Sequence, residues 1–538
     1  MTQAAPKAQQ SLPVFFPAPP DTASPATKPL HEQAAAYLKS VGPDYRRRHS
    51  DGDALFGGRM LKEECGVFGV IGVADAAALT VLGLHALQHR GQEAAGVATY
   101  DGERFHTERQ MGLVSDNFSD AKTLARLTGE AAIGHTRYST QGETVLRNVQ
   151  PLYADLDQTG VAIAHNGNLT NAKTLRADMV RRGCIFQSTS DSEIFLQLMA
   201  RSQYLSAVDR LIEALKQVEG AYALAVLTPE GLIGARDPVG IRPLILGDLD
   251  GAPILASETC ALDIIGARFV RDVKPGEVVI CRADGSIESR QAFPEPPEAR
   301  PCIFELIYFA KPNSIVDGQS VYELRKRLGE RLAKEAPCEA DLVSPIPDSG
   351  VPAAIGYAQK TKLPYEMALI RSHFIGRTFI EPSQKIREAG VARKHSPNRG
   401  LIEGKRVVLI DDSVVRGTTS RKISEMLRAA GAKEVHMRVA CPPILHPDFY
   451  GINTPSYDEL LGVGRSIEEM REIIGVDSLA FLSLDGLYKA FRKGRRDDAA
   501  PAFTDHCFTG DYPTRLVDRD EAERNAMITQ LSFLAESS

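Results

Sequence analysis

The chain has 538 residues, 43% hydrophobic and 25% charged, which suits about two or three globular domains with sizeable cores. A net charge of −6 gives no footing for nucleic-acid binding, and no apolar run approaches a membrane span. Eight scattered cysteines exclude a disulfide scaffold and point to a reducing, cytoplasmic setting.

Residues 2–29 are rich in Ala, Pro, Gln and Thr and lack the basic start and apolar core of a secretory signal, so they read as disordered. The run HEQAAAYLKSV (His31 to Val41) predicts a brief helix before the polar DYRRRHSDGD. Together, residues 1–64 read as a disordered leader or propeptide. Translation from Met60, leaving only MLKEE ahead of the next segment, is the rival account.

At Glu63-Glu64-Cys65-Gly66-Val67-Phe68-Gly69 a cysteine opens a strand-like run, and alone it reads as a small buried hydrophobe. The chain continues with LHALQHRGQEAAGVA (Leu84 to Ala98), GHTRYST (Gly134 to Thr140), AHNGNLTN (Ala164 to Asn171) and TSDSE (Thr189 to Glu193). This order of motifs resembles the glutaminase domain of the N-terminal-nucleophile amidotransferases over residues 65–290. The resemblance implies a four-layered αββα fold, and runs such as VAIAHNG, AYALAVL and EVVICRADG suit its antiparallel sheets.

Amide hydrolysis needs a nucleophile, a base and an oxyanion site. Cleavage before Cys65 would free an α-amino group of pKa roughly 8, able to serve as base to the thiol of the same residue. The resemblance assigns the oxyanion hole to the Asn166 side chain and the Gly167 backbone N–H. It assigns the glutamine α-carboxylate to Arg137 and the α-ammonium to Asp191. Singly, Arg137 also reads as a surface ion pair, Asn166 and Gly167 as a turn, and Asp191 as a helix cap.

Residues 289–301 (SRQAFPEPPEARP) read as a linker. Beyond it, the runs 342–345, 407–410 and 435–440 alternate with helical segments, as parallel α/β units do. The segment RVVLIDDSVVRGTTS (Arg406 to Ser420) is a buried strand, two acids at its carboxyl end, and a turn into a helix. Open parallel sheets bind ligands at such strand ends. The turn Ser413, Val414, Val415, Arg416, Gly417, Thr418 and Thr419 can aim backbone N–H groups at a phosphate, with Gly417 allowing close approach. Thr418 or Thr419 is expected to cap the helix or bond phosphate, and Ile423, Met426, Leu427 and a stop at Gly431 define it. Asp411 and Asp412 can accept bonds from vicinal ribose hydroxyls or hold a hard cation. This segment resembles the ribose-phosphate motif of type I phosphoribosyltransferases, whose substrate is phosphoribosyl pyrophosphate (PRPP).

A cysteine glutaminase joined to such a domain resembles the glutamine PRPP amidotransferase family, from about Cys65 to Pro513. ELIYFAKPNS (Glu305 to Ser314), PIPDSG (Pro345 to Gly350), GRTFIEPSQ (Gly376 to Gln384) and CPPILHPDFYGI (Cys441 to Ile452) also match. The family's reaction uses ammonia from glutamine to displace pyrophosphate from PRPP, giving 5-phosphoribosylamine at the first committed step of purine synthesis. The resemblance implies Mg²⁺ near Ser349, Asp411 and Asp412, and PRPP on residues 411–419 and Lys385. It also implies a basic lid holding Arg371, Arg377, Lys385, Arg387 and Lys394, an ammonia channel, feedback by purine nucleotides, and a homotetramer. The second domain is taken as 300–490. Residues 491–538 are expected to form a charged, peripheral tail.

Some family members hold a [4Fe–4S] cluster on four cysteines. Cys302 and Cys507 match that branch, but Asp448 and Thr504 stand at the other two positions, so no cluster is expected. Glucosamine-phosphate and asparagine synthetases share the glutaminase half, but sugar-isomerase domains and an SGGxDS loop are missing. A PRPP-sensing repressor would bring a basic DNA-binding module and would not need Cys65, Arg137, Asn166 or Asp191.

Overall fold

A computed structural model of the chain describes residues 28–41, 65–138, 145–156, 159–371, 395–452 and 456–520. Two antiparallel sheets form the first half. One runs, edge to edge, Arg268–Asp272, Ile245–Leu249, Ala252–Ala256, Gly66–Ile71, Ala131–Arg137, Ala94–Tyr100 and Phe105–Met111. The other runs Ile287–Gln291, Glu277–Cys281, Gly231–Arg236, Gly220–Thr228, Thr159–Leu169 and Leu152–Leu156. Small and branched residues such as Val67, Ala98, Ile133, Ala164, Ala225 and Leu255 fill the space between the sheets. Sheets buried on both faces lose the usual alternation of apolar and polar residues, and Gly66–Ile71 is accordingly buried at every position.

Helices cover both outer faces. Ala76–Ala86 is apolar all round, as a helix buried on every side should be. It lies between the first sheet and the helix Leu30–Val41, whose Ala34, Ala35 and Leu38 pack into the same core. The second sheet is covered by Ala172–Arg181, Glu193–Arg201 and Ala207–Leu215. The layers are therefore αββα. Within the expected leader, Leu30–Val41 is an ordered helix docked on this body, with Tyr37 edge-on to His85 at 5.8 Å between ring centroids.

The second half has a four-stranded parallel sheet in the order Leu342–Pro345, Arg406–Asp411, Glu434–Val439 and Ser478–Phe481. Helices Val321–Glu335, Val351–Thr361, Thr418–Ala429 and Ile467–Ile474 connect and flank it. The core of this domain runs without interruption into Ala221, Val239 and Ile241 of the first.

Two expectations are corrected. Ser289 to Gln291 belong to an edge strand, because they pair with Val279 to Glu277; the linker begins only after them. The described part of the stretch after Gly494, residues 495–520, is not peripheral. Phe503, Thr504, Asp505, His506, Cys507 and Phe508 are buried, and Asp518 accepts hydrogen bonds from the Lys173 and Thr174 N–H groups of the first domain at 2.8 and 2.9 Å. The charges misled the reading because they are paired inside. Arg496 donates to Asp505 at 2.8 Å and to Asp511 at 2.6 Å, and Asp505 also accepts from the Tyr488 hydroxyl at 2.7 Å. Removing one partner of a buried pair strands the other. Arg496→Met is therefore expected to destabilise the protein by about 3 kcal/mol, seen as a lower urea midpoint; a midpoint within error of the parent would place this network outside the folded core.

Candidate functional sites

Cys65 sits immediately before the strand Gly66–Ile71, whose Gly66 pairs with Thr136, so the thiol lies beside Arg137 at the end of the neighbouring strand. The Cys65 Sγ donates to the Tyr138 carbonyl at 3.5 Å. Burial pushes this thiol up, and the acids Asp191 and Glu93 add to that; the Arg137 charge and the Tyr138 bond oppose it. Arg137 is buried and donates to the Asn148 carbonyl at 2.9 Å. Asn148 is in turn held by Thr189, two residues before Asp191, through bonds of 2.8 and 2.9 Å. Asp191 accepts from the Leu169 N–H at 3.0 Å. Cys65, Arg137 and Asp191 thus share one electrostatic neighbourhood.

Asn166 and Gly167 lie on the strand Thr159–Leu169 of the other sheet, which touches the first where His135 meets the His165 carbonyl at 3.1 Å. The Asn166 amide is 1% exposed, and neither its nitrogen nor its oxygen has a hydrogen-bond partner. An unmet buried polar group costs about 1–3 kcal/mol. Gly167 has φ +142°, and a Cβ there would stand 2.2 Å from the Ala221 carbonyl oxygen, so the position requires glycine. Burial lowers the pKa of His135 to about 3 and also lowers that of His165. Neither is a useful base for a thiol, which leaves that role open to the α-amino group of a freed Cys65.

The second centre stands at the carboxyl end of the parallel sheet. Asp411 closes the strand Arg406–Asp411, and Ser413 donates to Asp412 at 2.5 Å. Burial and Asp412 push the Asp411 carboxyl well up. Burial also raises Asp412, against hydrogen bonds from Ser349 and Ser413 and the Arg325 charge. The Asp412 Oδ2 is buried without a hydrogen-bond partner. Gly417, at φ +74°, is itself the N-cap of the helix Thr418–Ala429 and no side chain caps that helix. The expected threonine cap is therefore corrected: Thr418 and Thr419 are already helical, and both are exposed. Val415 is pinned through its carbonyl by the Leu461 N–H at 2.8 Å, and Arg416 pairs with Glu459 at 3.4 Å. Val414 is buried. Gly350, in the loop that carries Ser349, caps Val351–Thr361. Arg371 forms an ion pair with Asp348, whereas Arg377, Lys385, Arg387 and Lys394 lie outside the described residues.

Family profiles match both halves: one for a glutamine amidotransferase domain over residues 135–263, one for a phosphoribosyl transferase domain over 313–445. The amidophosphoribosyltransferase of Rhizobium etli is 58% identical over 482 residues, 89% of this chain and 97% of that one. The chain belongs to the amidophosphoribosyltransferase family. The Bacillus subtilis member is 47% identical over 85% of this chain and 95% of its own. A solved B. subtilis glutamine PRPP amidotransferase in complex with ADP and GMP superposes with a TM-score of 0.79 at 45% identity, covering 84% of this chain and 98% of that one. A structure described as the allosteric regulatory enzyme of purine biosynthesis gives 0.80, also at 45% identity, over 84% and 97%.

Cys302, Thr504, Cys507 and Asp448, the positions compared with the cluster-bearing branch of this family, do come together. Cys302 and Thr504 form a β-bridge, and the Cys507 thiol is pushed up by burial and further by the neighbouring Cys302 and Asp448. Their donors do not form a four-thiolate cage. The Thr504 hydroxyl donates to the Arg300 carbonyl at 2.5 Å, and Asp448 pairs with His506 at 2.8 Å while accepting from the Tyr450 and Ile452 N–H groups at 2.8 Å each. Among the described residues, no three His, Cys, Asp or Glu side chains are grouped to hold a metal.

Sequence reasoning quoted the segments of Arg90 and Glu305 without giving either residue a role. Arg90 is wholly buried and its Nε donates to the Cys65 carbonyl at 3.1 Å. Sequence reasoning also overlooked the docking of 446–452 on the strand Thr159–Leu169, where the Asn168 amide donates to the Phe449 carbonyl at 3.0 Å and Gly451 packs on Gly167. The only available signal was an arginine and a glutamate inside otherwise apolar runs. Because burial dominates the Cys65 environment, its alkylation in the uncleaved chain is expected to rise with pH to a midpoint above the ordinary thiol value of about 8.5. Arg137→Met should move it higher still. Peptide-resolved mass spectrometry after iodoacetamide reads both, and a midpoint below that value would mean the charges outweigh burial.

Proposed function

We propose that the chain catalyses the reaction of its family: glutamine, water and PRPP give glutamate, pyrophosphate and 5-phosphoribosylamine, the first committed step of purine synthesis. The observation that carries the first half is the Asn166 amide, buried and unpartnered beside Gly167. Its N–H and the Gly167 N–H serve as donors for the oxyanion formed when the Cys65 thiolate attacks the glutamine side-chain carbon. The α-amino group released by cleavage after Glu64 takes the thiol proton and passes it to the leaving ammonia. Water then cleaves the thioester to give glutamate. Arg137 holds the substrate α-carboxylate and Asp191 its α-ammonium.

In the second half, the N–H groups of 413–417 and the helix N-terminus at Thr418 bind the 5-phosphate, and Asp411 and Asp412 accept from the ribose hydroxyls. The residues present also fit a divalent cation. Two adjacent carboxylates raised by burial, one with an unpartnered buried oxygen, gain from any positive charge. Magnesium held near Ser349, Asp411 and Asp412 supplies charge neutralisation for the departing pyrophosphate. Ammonia attacks the anomeric carbon as pyrophosphate leaves. Lys385 contributes to PRPP binding, and ammonia crosses the domain seam unprotonated. Among the described residues, no helix is long and apolar enough to cross a membrane. We place the enzyme in the cytoplasm as a homotetramer and expect regulation by purine nucleotides; the ADP and GMP complex of the B. subtilis relative supports the last of these.

Glutamate release by the purified protein is expected to rise strongly when PRPP and magnesium are added; release indifferent to PRPP would leave a glutaminase with its second domain misassigned. Asn166→Ala should lower glutamine-dependent turnover by about 10²–10³-fold and spare synthesis from ammonia. Equal loss with both nitrogen sources would remove Asn166 from the oxyanion site.

A further inference from the structure

We propose that the helix Leu30–Val41 stays with the enzyme after processing, as part of a separate short chain seated on the outer face of the helix Ala76–Ala86. The inference rests on the cleavage before Cys65 invoked above and concerns the fate of the segment ahead of the cut.

The seat follows from composition. Ala76–Ala86 reads AAALTVLGLHA, and every residue of it but His85 is buried. A helix with no polar face has to be covered on all sides. One side lies on the strands Gly66–Ile71 and Ala131–Arg137, and Leu30–Val41 covers the outside, where it also packs on Val114–Phe118 and Ala121–Ala125. The covering helix is built for that place. Ala34, Ala35 and Leu38 fall at i, i+1 and i+4 and are 1%, 3% and 0% exposed, with Leu30 half-buried one turn earlier. Gln33, Ala36, Lys39 and Ser40 are exposed. Tyr37 sets its ring edge-on to His85, the one residue of the seat that is not fully buried. The His31 Nδ1 lies 3.4 Å from the carboxylate of Asp75, the residue that precedes Ala76.

A helix of 12 residues is marginal by itself in water, so the order of Leu30–Val41 comes from the surface under it. That packing joins residues 30–41 to helices within residues 75–125 and does not pass through the Glu64–Cys65 bond. Hydrolysis of the bond takes up one water, leaves a carboxylate on Glu64 and an amine on Cys65, and breaks none of these contacts. The cut removes only the tether. Departure of the fragment would bare the outer side of Ala76–Ala86, and a contiguous apolar face of that kind is seldom left in water. Retention keeps the face covered by the residues already seated on it.

The test expresses the full 538-residue chain, purifies the enzyme by gel filtration, and reads the peak by native and denaturing mass spectrometry. The expected result is a body beginning at Cys65 together with an equimolar fragment containing Leu30–Val41, the two separating only in denaturant. Leu38→Asp, which puts a charge on the buried stripe, should lose the fragment. Ala36→Asp places the same residue at an exposed position of the same helix and should keep it. A soluble body beginning at Cys65 without the fragment overturns the proposal, whether the bared face stays open or a second copy covers it. A fragment that both variants keep, or both lose, overturns it too, because the buried stripe would then not be what holds the helix. Should Leu38→Asp fail to fold, Leu38→Ala replaces it, with release of the fragment at a lower urea concentration than in the parent as the expected result and an unchanged release point as the contrary one. A chain still joined at Glu64–Cys65 is told apart by its mass; it sinks the cleavage reading and the two-chain form with it.

Discussion

The buried guanidinium of Arg90 is the constraint around which the two halves are arranged. A charge wholly removed from water costs several kcal/mol even after relaxation, and it is tolerated only when its hydrogen-bonding capacity is met with good geometry. Meeting it here takes a carbonyl from the first strand, Glu258 from the end of Ala252–Ala256 and its turn, and Glu305 from beyond the linker. None of these comes from a neighbouring stretch of chain. The Arg90 pocket therefore cannot form until the two-sheet body and the start of the second domain are both in place. Arg236 repeats the pattern at a second point, gripping Asp317 with bonds of 2.9 and 3.1 Å while satisfying three carbonyls of its own domain.

Against the fully engaged guanidinium groups of Arg90 and Arg236, both candidate centres hold unsatisfied polar atoms. The Asn166 amide and the Asp412 oxygen are buried with no partner, and Asp411 and Asp412 repel each other at the strand end. Groups of this kind weaken a fold unless a ligand completes them. One centre lacks an acceptor of N–H bonds and the other lacks donors or positive charge. These are complementary to an oxyanion and to a ribose diol or hard cation respectively. The energy that holds them in place comes from the surrounding sheets, where nearly every inward residue is apolar and buried.

The parts of this arrangement legible in the sequence were those written in contiguous residues. The strand, acids and glycine turn of Arg406 to Ser420 carry their own geometry, and the order of the glutaminase motifs carried the layered fold. Charges that act across the seam were not legible, because a buried arginine and an exposed one are the same letter; only tertiary pairing distinguishes Arg90 from its neighbours. The tail failed for the same reason. Arg496, Asp505 and Asp511 look like a solvated run in one dimension and are a closed ion network in three. Of the two roles open to Thr418, capping failed at a finer scale: the left-handed Gly417 already occupies the cap, so the hydroxyl sits one residue too late to close the helix.

The region around Asp448 joins the tail to both halves of the chain. Cys302 and Thr504 are joined through backbone pairing, and the Ile303 N–H bonds to the Thr504 carbonyl at 3.1 Å, so the tail is laid against the entry to the second domain by main-chain contacts that no side-chain change removes. On that frame the Asp448 carboxylate and the His506 ring stand 2.8 Å apart, both buried. Asp448 also turns the chain by accepting two N–H groups, which aims Phe449 and Gly451 at the strand bearing Asn168 and Gly167. The Asp448 carboxylate shapes the loop that backs the strand Thr159–Leu169, so the packing of the tail and the placement of the Asn166 amide are parts of one structural unit.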